Sequence, residues 1–513
     1  MRVLRGLGCA VAGIAVLLAG LGFFAYQWVG GVNAPFGEGK LDRDRLSRQI
    51  EVAPGFHFGV YAADIPNARV VRFSRGGHLL VANPNLGQVV LLEPDADGDG
   101  QADGKRVLID ALQGPNGLDF HDEGDASFLY IAEGDGVGRA RFNHQTGALG
   151  RYERIIDGLP AGGNHWKKTL RFGPDGMLYV AVGSSCNVCL ETDARRAALL
   201  RYRPDGSDET IFARGLRNSA GFDWSPADGQ IYATDNGRDM LGDDFPPCEL
   251  NQVVEGGHYG WPFQNGAGVS DPDFGDNDAG FAKSDISRAD LRPMVHGFRA
   301  HNAPLGISFL RSTAAPADYH HAAVVALHGS WNRREKDGYK VVSLHFAADG
   351  SVEERDFVSG FLVNDEVIGR PAELTEGPDG AVYIADDFVG AIYRVAPGER
   401  PVGQAPGVPG DRGEAVVAGQ PEAVAFDAQT TLAGLSGPDK NALAEAGEVV
   451  FNRFGCAGCH GDSAGLAPLR DVGTRYDLET LAAFMRAPKP PMPVFPLSTK
   501  EQRSLAVYLI MNR

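Results

Sequence analysis

Residues 170–183 read LRFGPDGMLYVAVG, where a Pro-Asp-Gly turn separates two short runs of apolar residues. Short strands joined by an Asp-Gly or Gly-Gly pair are typical of a β-hairpin. Related phrases recur at 73–83, 117–133, 222–236, 322–329 and 374–387. Repeats spaced by roughly fifty residues are the mark of a propeller. We therefore expect an all-β domain with six blades; the alternative is a β-sandwich, which rarely repeats one phrase so often.

The longest gap between these phrases contains an insertion, DNGRDMLGDDFPPCELNQVVEGGHYGWP, at residues 235–262. It is polar and rich in Gly and Pro, so we expect it to lie outside the core. Insertions of this kind collect on one face of a propeller and often build its site.

The N-terminus contains Arg2 and Arg5, followed by an uncharged, mostly apolar run from about Gly6 to Val29. This run is long enough to span a bilayer, and the basic residues before it place the body outside the cytoplasm. We expect residues 1–30 to form an N-terminal transmembrane helix that anchors the protein at the periplasmic face of the inner membrane. A cleaved signal peptide is the alternative.

Three further segments follow from composition. The propeller is predicted at 45–395, and residues 396–435, rich in Pro, Gly and Ala, are predicted to be a linker. Residues 436–513 are predicted to form a small all-α domain with a helix from Asp439 to Phe454. Its last helix should start at the capping box formed by Ser498 and Glu501.

The C-terminal domain contains CAGCH, the attachment pattern of a c-type haem. In this pattern the thiols of Cys456 and Cys459 bond to the haem, and His460 ligates its iron. The alternatives are a thioredoxin-like redox pair and half of a zinc site. Because an apolar helix precedes the motif and a methionine follows it, we predict a cytochrome c domain with covalent haem c.

Met492 is the predicted second axial ligand of the haem iron. It lies in PPMPVFP, where prolines on both sides favour an extended loop that presents the thioether. Met485 is the alternative ligand, but it falls on a probable helix, where core packing is its expected role. A His/Met pair raises the haem potential and suits electron transfer.

The net charge, an acidic loop and the cysteines indicate which partners, metal ions and disulfides to expect. The net charge of −18 argues against nucleic acid as a partner. Asp95, Asp97, Asp99 and Asp103 form an acidic loop that either binds a structural calcium ion or is a solvated turn. In an oxidising compartment, one disulfide is expected among Cys186, Cys189 and Cys248, with Cys186–Cys189 slightly favoured.

Five longer segments stand out in the propeller region: GGNHWKKTLRFGPDGMLYVAVG, ARGLRNSAGF, CELNQVVEGGHYGWP, HGSWNRREKDGYKVV and GRPAELTEGPDG. They resemble a known family, the pyrroloquinoline quinone (PQQ)-dependent glucose/sorbosone dehydrogenases, also called aldose sugar dehydrogenases. The resemblance covers roughly residues 50–395.

The resemblance implies roles for individual residues. His165 matches the catalytic base, which takes a proton from a sugar hydroxyl while hydride passes to the quinone. Arg217 and Asn218 match a pair at the quinone end of the cofactor that contacts cofactor or substrate. The other implied positions are cofactor-binding Arg333 and Arg370 and the calcium ligands Glu249 and Tyr259. Fixed arginines suit PQQ because it carries three carboxylates.

The sequence departs from the family pattern at three positions. Asn164 stands beside His165 where the bacterial glucose enzyme has an acid, and Cys248 replaces an acid in the calcium stretch. Ala372 stands where a second arginine is expected. The expected substrate is therefore a sugar, aldehyde or polyol, and glucose is not assumed.

Together these features predict a periplasmic quinohaemoprotein. The propeller oxidises the substrate with PQQ and calcium, and the tethered haem passes electrons to a respiratory acceptor, which is a cytochrome, a quinone or an oxidase. The alternatives are a calcium-dependent propeller lactonase, which has no need of haem, and a propeller binding module with a haem electron carrier.

Overall fold

The computed structural model describes residues 38–275, 281, 286–398, 432, 435–453, 472, 478–486 and 498–512. The chain divides into two compact units, Met1–Arg412 and Gly413–Arg513.

The first unit is built from antiparallel sheets, whose strands are numbered along the chain. The first three sheets contain β3 (Val70–Phe73), β4 (Leu79–Asn83), β5 (Gln88–Leu92) and β6 (Lys105–Ile109); β7 (Gly117–Glu123), β8 (Ala126–Ala132), β9 (Gly136–Arg141) and β10 (Glu153–Asp157); and β11 (Lys168–Phe172), β12 (Leu178–Val182), β13 (Ala198–Tyr202) and β14 (Thr210–Arg214). The next three contain β15 (Phe222–Trp224), β16 (Ile231–Asp235), β17 (Cys248–Val253) and β20 (His296–Phe298); β21 (Pro304–Phe309), β22 (Ala323–Leu327), β23 (Lys340–Phe346), β24 (Val352–Ser359) and β1 (Glu51–Val52); and β27 (Pro371–Glu376), β28 (Val382–Asp386), β29 (Ala391–Pro397) and β2 (Phe56–Ala62).

Short elements connect these sheets. They are the helix α1 (Arg43–Gln49), the two-residue strand pairs β18 (Gln264–Asn265) with β19 (Val269–Ser270) and β25 (Leu362–Val363) with β26 (Glu366–Val367), and the 3-10 turns Arg288–Asp290 and Ala317–Tyr319.

The apolar core of the first unit is divided among the gaps between neighbouring sheets. Leu80 of the first sheet packs with Leu129 of the second, and corresponding clusters fill the following gaps. The last gap brings Tyr383 of the sixth sheet against Val81 of the first, so the ring closes. The prediction of a six-bladed β-propeller is therefore confirmed.

The ring is closed by strands from near its N-terminal end. β2 pairs with β29 as the outermost strand of the sixth sheet, and β1 pairs with β24 of the fifth. Helix α1 precedes them, buries Leu46, and is tied to the propeller by an ion pair between Arg45 and Glu366. Joining both ends of the repeat in one blade closes the ring, so the apolar faces of the first and last blades cover one another.

Two expectations about the blades need correction. The insertion at 235–262 is not wholly outside the core, since it supplies β17, on which Cys248, Leu250 and Val253 are buried. The insertion is polar on average, but apolar residues at every second or third position along β17 are enough to form a buried strand. The fifth phrase is not a tight hairpin, because β22 pairs with β21 across a longer connection that contains the turn Ala317–Tyr319.

The described part of the second unit is helical, with α2 (Gly437–Arg453), α3 (Leu478–Arg486) and α4 (Thr499–Asn512). The predicted capping box is confirmed, because Glu501 N donates to Ser498 Oγ and Ser498 N donates to Glu501 Oε2. Gly447 of α2 lies so close to the Ser504 carbonyl of α4 that a side chain there would clash. Met485 is buried in the same apolar cluster as Leu505, as its predicted packing role requires.

Two predicted features fall outside the described residues: the N-terminal membrane helix at 1–30 and most of the linker at 396–435. Within the described part of the chain, no helix is both long and apolar enough to cross a membrane.

Candidate functional site

Two cavities lie at opposite ends of the innermost strands of the propeller. The larger, of about 650 Å³, contains acids and arginines that pair with one another, such as Arg72 with Asp119 at 3.6 Å and Arg171 with Asp223 at 3.6 Å. The smaller, of about 180 Å³, contains His165 and Lys167. Only the second offers a base beside cations, so it is the candidate site.

All six blades contribute to this smaller cavity, because it lies where their innermost strands begin. Its lining includes Arg69, Asn116, His165, Asn218, Leu305 and Ala372. Two polar atoms of lining residues have no hydrogen-bond partner among the described residues, Asn116 Oδ1 and Ser219 Oγ, whereas Glu373 Oε1 is ion-paired with Arg171 at 3.6 Å. Buried polar atoms are normally paired, so the first two indicate a cavity that takes a polar occupant.

His165 stands just before β11 and faces the segment that follows β12. Its Nδ1 lies 2.8 Å from Ser184 Oγ, and its backbone N–H donates to the Ser184 carbonyl at 3.2 Å. Burial, together with the Arg217 guanidinium, lowers the pKa of His165 to about 3. The imidazole is therefore neutral at pH 7 and can accept a proton.

Arg217 and Asn218 lie between β14 and β15, with their backbone N–H groups donating to the carboxylate of Asp235. The Arg217 side chain is buried, and its N–H groups donate to Asn187, Asn236, Gly237 and Asp239. These contacts use all five donors of the guanidinium. A direct contact from Arg217 to a cofactor would require one of them to be exchanged, whereas the Asn218 amide lines the cavity.

Two cations, Arg69 and Lys167, line the cavity with His165, and Arg370 lies near Lys167 but outside that lining. Arg69 pairs with Asp387, and Arg370 Nε donates to the His328 carbonyl at 3.2 Å. Burial, with Arg69 next in importance, lowers the pKa of Lys167 to about 7. Arg370 also contributes to this lowering, so the three cations act on one another. Arg370 was expected from the sequence, but Arg69 and Lys167 were not.

Arg333 is placed elsewhere. Its Nη1 donates to the Asp243 carbonyl and its Nη2 pairs with Asp244 at 2.8 Å. It does not line the cavity of His165. A cofactor contact from Arg333 therefore stays a prediction that this geometry does not support.

The side chains of the predicted calcium ligands, Glu249 and Tyr259, each have hydrogen-bond partners in the protein. The Tyr259 hydroxyl donates to the Gln252 carbonyl at 2.7 Å, and the Glu249 carboxylate accepts from Gly266 N and Asn251 Nδ2. Glu249 instead lies opposite Asp235 across β16 and β17. Burial raises the pKa of Glu249 to about 8 and that of Asp235 to about 7. Two facing carboxyls of this kind hold a proton or a cation in preference to two negative charges.

The acidic loop is partly assembled. Carboxylate oxygens of Asp95, Asp97 and Asp99 lie within 4.8 Å of one another. Asp103 accepts a hydrogen bond from Ala96 N at 3.0 Å and does not belong to this group.

The favoured disulfide is present. Cys186 and Cys189 are bonded, with their Cα atoms 6.2 Å apart, and Cys248 is a buried free thiol. The predicted haem residues Cys456, Cys459, His460 and Met492 all lie outside the described residues.

Comparisons with known proteins identify a family and a fold. A profile of the family described as Glucose / Sorbosone dehydrogenase matches residues 126–394. An uncharacterized protein of Borreliella burgdorferi is 36% identical over 224 residues, which are 42% of this chain and 56% of that protein. The aldose sugar dehydrogenase YliI of Escherichia coli is 24% identical over 324 residues, 58% of this chain and 78% of that enzyme. Quinoprotein glucose dehydrogenase B of Acinetobacter calcoaceticus is 26% identical over 262 residues, 42% of this chain and 50% of that enzyme.

The chain thus spans only about half the length of two of these relatives. Among solved structures, the PQQ domain of a pyranose dehydrogenase from Coprinopsis cinerea is similar, with a TM-score of 0.57 at 20% identity over 68% of this chain and 97% of that one. A Trichoderma reesei protein of Carbohydrate-Active Enzymes Family AA12 gives a TM-score of 0.57 at 21% identity over 71% and 99%. At these identities the structures agree in fold.

Proposed function

The chain belongs to the Glucose / Sorbosone dehydrogenase family, a family of oxidoreductases, and on that premise we propose that its propeller oxidises a sugar, aldehyde or polyol with PQQ. The observation that carries this proposal is a neutral, half-buried His165 in the same cavity as the cations Arg69 and Lys167. A base and an anion-binding cluster side by side are what a dehydrogenase needs to use a carboxylated quinone.

The residues present fit PQQ in charge. The cofactor carries three carboxylates, and Arg69, Lys167 and Arg370 are the cations that would hold them. The unpaired atoms of Asn116 and Ser219 would supply neutral polar contacts. The cavity of about 180 Å³ is smaller than the roughly 300–1,000 Å³ of typical small-molecule sites, so the cofactor would also occupy space beside it.

When bound, PQQ supplies the acceptor for the hydride that leaves the substrate carbon. The task of the chain is to remove the proton. His165 Nε2 would take the hydroxyl proton of the substrate, and its low pKa keeps it unprotonated before that step. Five donated hydrogen bonds fix the Arg217 guanidinium, and its positive charge disfavours protonation of the imidazole. Asn218 would offer its side-chain amide to the substrate or cofactor.

PQQ affinity should depend on the charge of Lys167. An anion binds the protonated ammonium better, so affinity should fall by up to about tenfold per pH unit as the pH rises above about 7, the pKa of Lys167 in the free protein. Fluorescence titration of the apo protein with PQQ between pH 6 and 9 measures this. Lys167→Arg should remove the pH dependence while keeping tight binding, and Lys167→Met should bind weakly throughout.

Arg370→Ala is the companion variant, because it should weaken binding at every pH by roughly 1.5–3 kcal/mol, the worth of a charged hydrogen bond. Lys340→Ala is a suitable control, since this lysine pairs with Asp356 on an outer strand pair. Unchanged titration midpoints in both Lys167→Met and Arg370→Ala would contradict the cofactor assignment.

Calcium is included in the proposal on the strength of the carboxyl pair Asp235 and Glu249. Their raised pKa values mean that the folded protein keeps protons which the unfolded chain has released above about pH 5. Stability therefore falls as the pH rises toward 8, unless a cation replaces those protons. The converging aspartates of the acidic loop, Asp95, Asp97 and Asp99, are the second candidate.

We also propose that electrons leave through a covalent haem c on Cys456 and Cys459, with His460 and Met492 as axial ligands. The motif supports this assignment, and the burial of Met485 in the cluster of the second unit supports Met492 over Met485. The downstream acceptor would be a cytochrome, quinone or oxidase. A periplasmic location, anchored by residues 1–30, is supported by the Cys186–Cys189 disulfide, which forms in oxidising compartments.

A further inference from the structure

The hydroxyl of Ser184 stands between His165 and the disulfide loop. It lies 2.8 Å from His165 Nδ1 and donates to the Cys186 carbonyl, also at 2.8 Å. A carbonyl can only accept, and a hydroxyl has one hydrogen to donate. Because that hydrogen is given to Cys186, Ser184 Oγ must accept from His165. The proton of the imidazole is therefore on Nδ1, and Nε2 carries the free lone pair.

The Cys186 carbonyl is held in place from several sides. The Cys186–Cys189 disulfide closes the loop, and both Ser185 N and Ser185 Oγ donate to the Glu191 carboxylate. Asn187 is tied to Arg217, which donates to its backbone carbonyl at 2.9 Å and to its side-chain oxygen at 2.8 Å. The loop is therefore fixed at each end of its disulfide.

Ser184 has little freedom to rearrange. It is fully buried, and its N–H donates to the Arg217 carbonyl at 2.8 Å. The neighbouring Gly183 approaches His165 so closely that a Cβ at Gly183 would lie 2.5 Å from the His165 Cβ. The backbone on either side of Ser184 is thus packed closely against His165 and Arg217.

We propose that Ser184 is a positioning residue that fixes the tautomer of His165, and that the Cys186–Cys189 disulfide fixes Ser184 by holding the carbonyl to which it donates. The proposal rests on the role of His165 in the proposed dehydrogenase. Without this relay the proton can move to Nε2, and the imidazole then presents a donor where a base is required.

The tautomer can be measured without cofactor or substrate. Long-range ¹H–¹⁵N NMR of the full-length protein labelled on histidine reports which ring nitrogen is protonated, and the His165→Gln variant identifies the signal. The wild type should show a protonated Nδ1 and a bare Nε2. Ser184→Ala should give a mixture of the two tautomers, and Ser184→Thr should restore the wild-type pattern.

Ser343 provides a matched control. It is also a fully buried serine, and its Oγ lies 3.0 Å from Nε2 of His345 on the same strand, β23. Ser343→Ala should leave the His165 signals unchanged. The double variant Cys186→Ser with Cys189→Ser should shift His165 toward the same mixture of tautomers as Ser184→Ala. If Ser184→Ala does not fold, this double variant is the test of the proposal. An unchanged His165 tautomer in these variants overturns the proposal.

Kinetics supply a second readout in the PQQ-loaded protein. Ser184→Ala should lower kcat by about tenfold, the equivalent of one net hydrogen bond, with KM and the PQQ midpoint unchanged. Ser184→Thr should recover most of the rate. If the wild type itself has no activity, the dehydrogenase assignment fails while the NMR result still decides the tautomer. If the wild type is active and Ser184→Ala is equally active, the positioning role is overturned.

Discussion

Replacing His165 with alanine should lower turnover by about two to four orders of magnitude, the usual worth of a general base. The reason is local: His165 is the titratable group of the cavity that is both neutral at pH 7 and provided with a bare ring nitrogen. Lys167, the other candidate base in the cavity, is needed as a cation. The loss should therefore appear in kcat.

PQQ binding should survive the substitution, because Arg69, Lys167 and Arg370 remain in place. Turnover with an artificial dye and the PQQ titration midpoint, measured on the same preparation, separate the two effects. His57→Ala is the matched control, since this histidine lies on the outermost strand β2 and contacts the Gly398 carbonyl. Near wild-type turnover in His165→Ala would remove His165 from the mechanism.

Removing the haem attachment should abolish delivery of electrons to the natural acceptor while sparing the chemistry. If His460 and Met492 ligate the haem iron as proposed, they would leave no site for substrate on it, and oxidation would belong to the propeller. Cys456→Ser with Cys459→Ser should thus keep dye activity and lose transfer to a membrane acceptor. In the wild type, substrate should reduce the haem at a rate independent of protein concentration, because the linker makes the transfer intramolecular.

Two methionine variants test which residue is the second axial ligand of the haem iron. Met492→Ala should keep the covalent haem and the dye activity but open one iron position and lower the potential. Met485→Leu should leave the spectrum unchanged, because Met485 is a packed residue of α3. A changed spectrum in Met485→Leu and none in Met492→Ala would exchange the two assignments.

The sequence predicts the blades well because each hairpin is local. The Asp-Gly and Gly-Gly turns lie at the predicted places, for example at Gly176 and Gly380, both of which have positive φ. Closure of the ring by β2 was not predicted, since it pairs residues near 60 with residues near 393 and no local pattern records that contact. The strand β17 was missed because the polar residues around it mask its short apolar alternation.

The site was predicted in part for a similar reason. His165 stands in a motif that can be read directly, but Ser184 becomes its neighbour only through the β11–β12 pairing. Extending that hairpin past Lys168 and Val182 in the sequence would have suggested it. Arg69 and Lys167 meet because different blades converge on one axis, which a linear reading does not show. The cofactor contact expected of Arg333 stays a prediction, because its side chain pairs with Asp243 and Asp244 and does not line the cavity.

The most direct test of the account uses the full-length apo protein. PQQ is added with calcium, and reduction of an artificial dye is followed with a panel of sugars, aldehydes and polyols. We predict substrate-dependent reduction that requires PQQ, falls when calcium is withheld, and is lost in His165→Ala. Absence of reduction with every substrate in the presence of PQQ and calcium, or equal reduction without PQQ, would contradict the assignment of this propeller as a PQQ-dependent dehydrogenase.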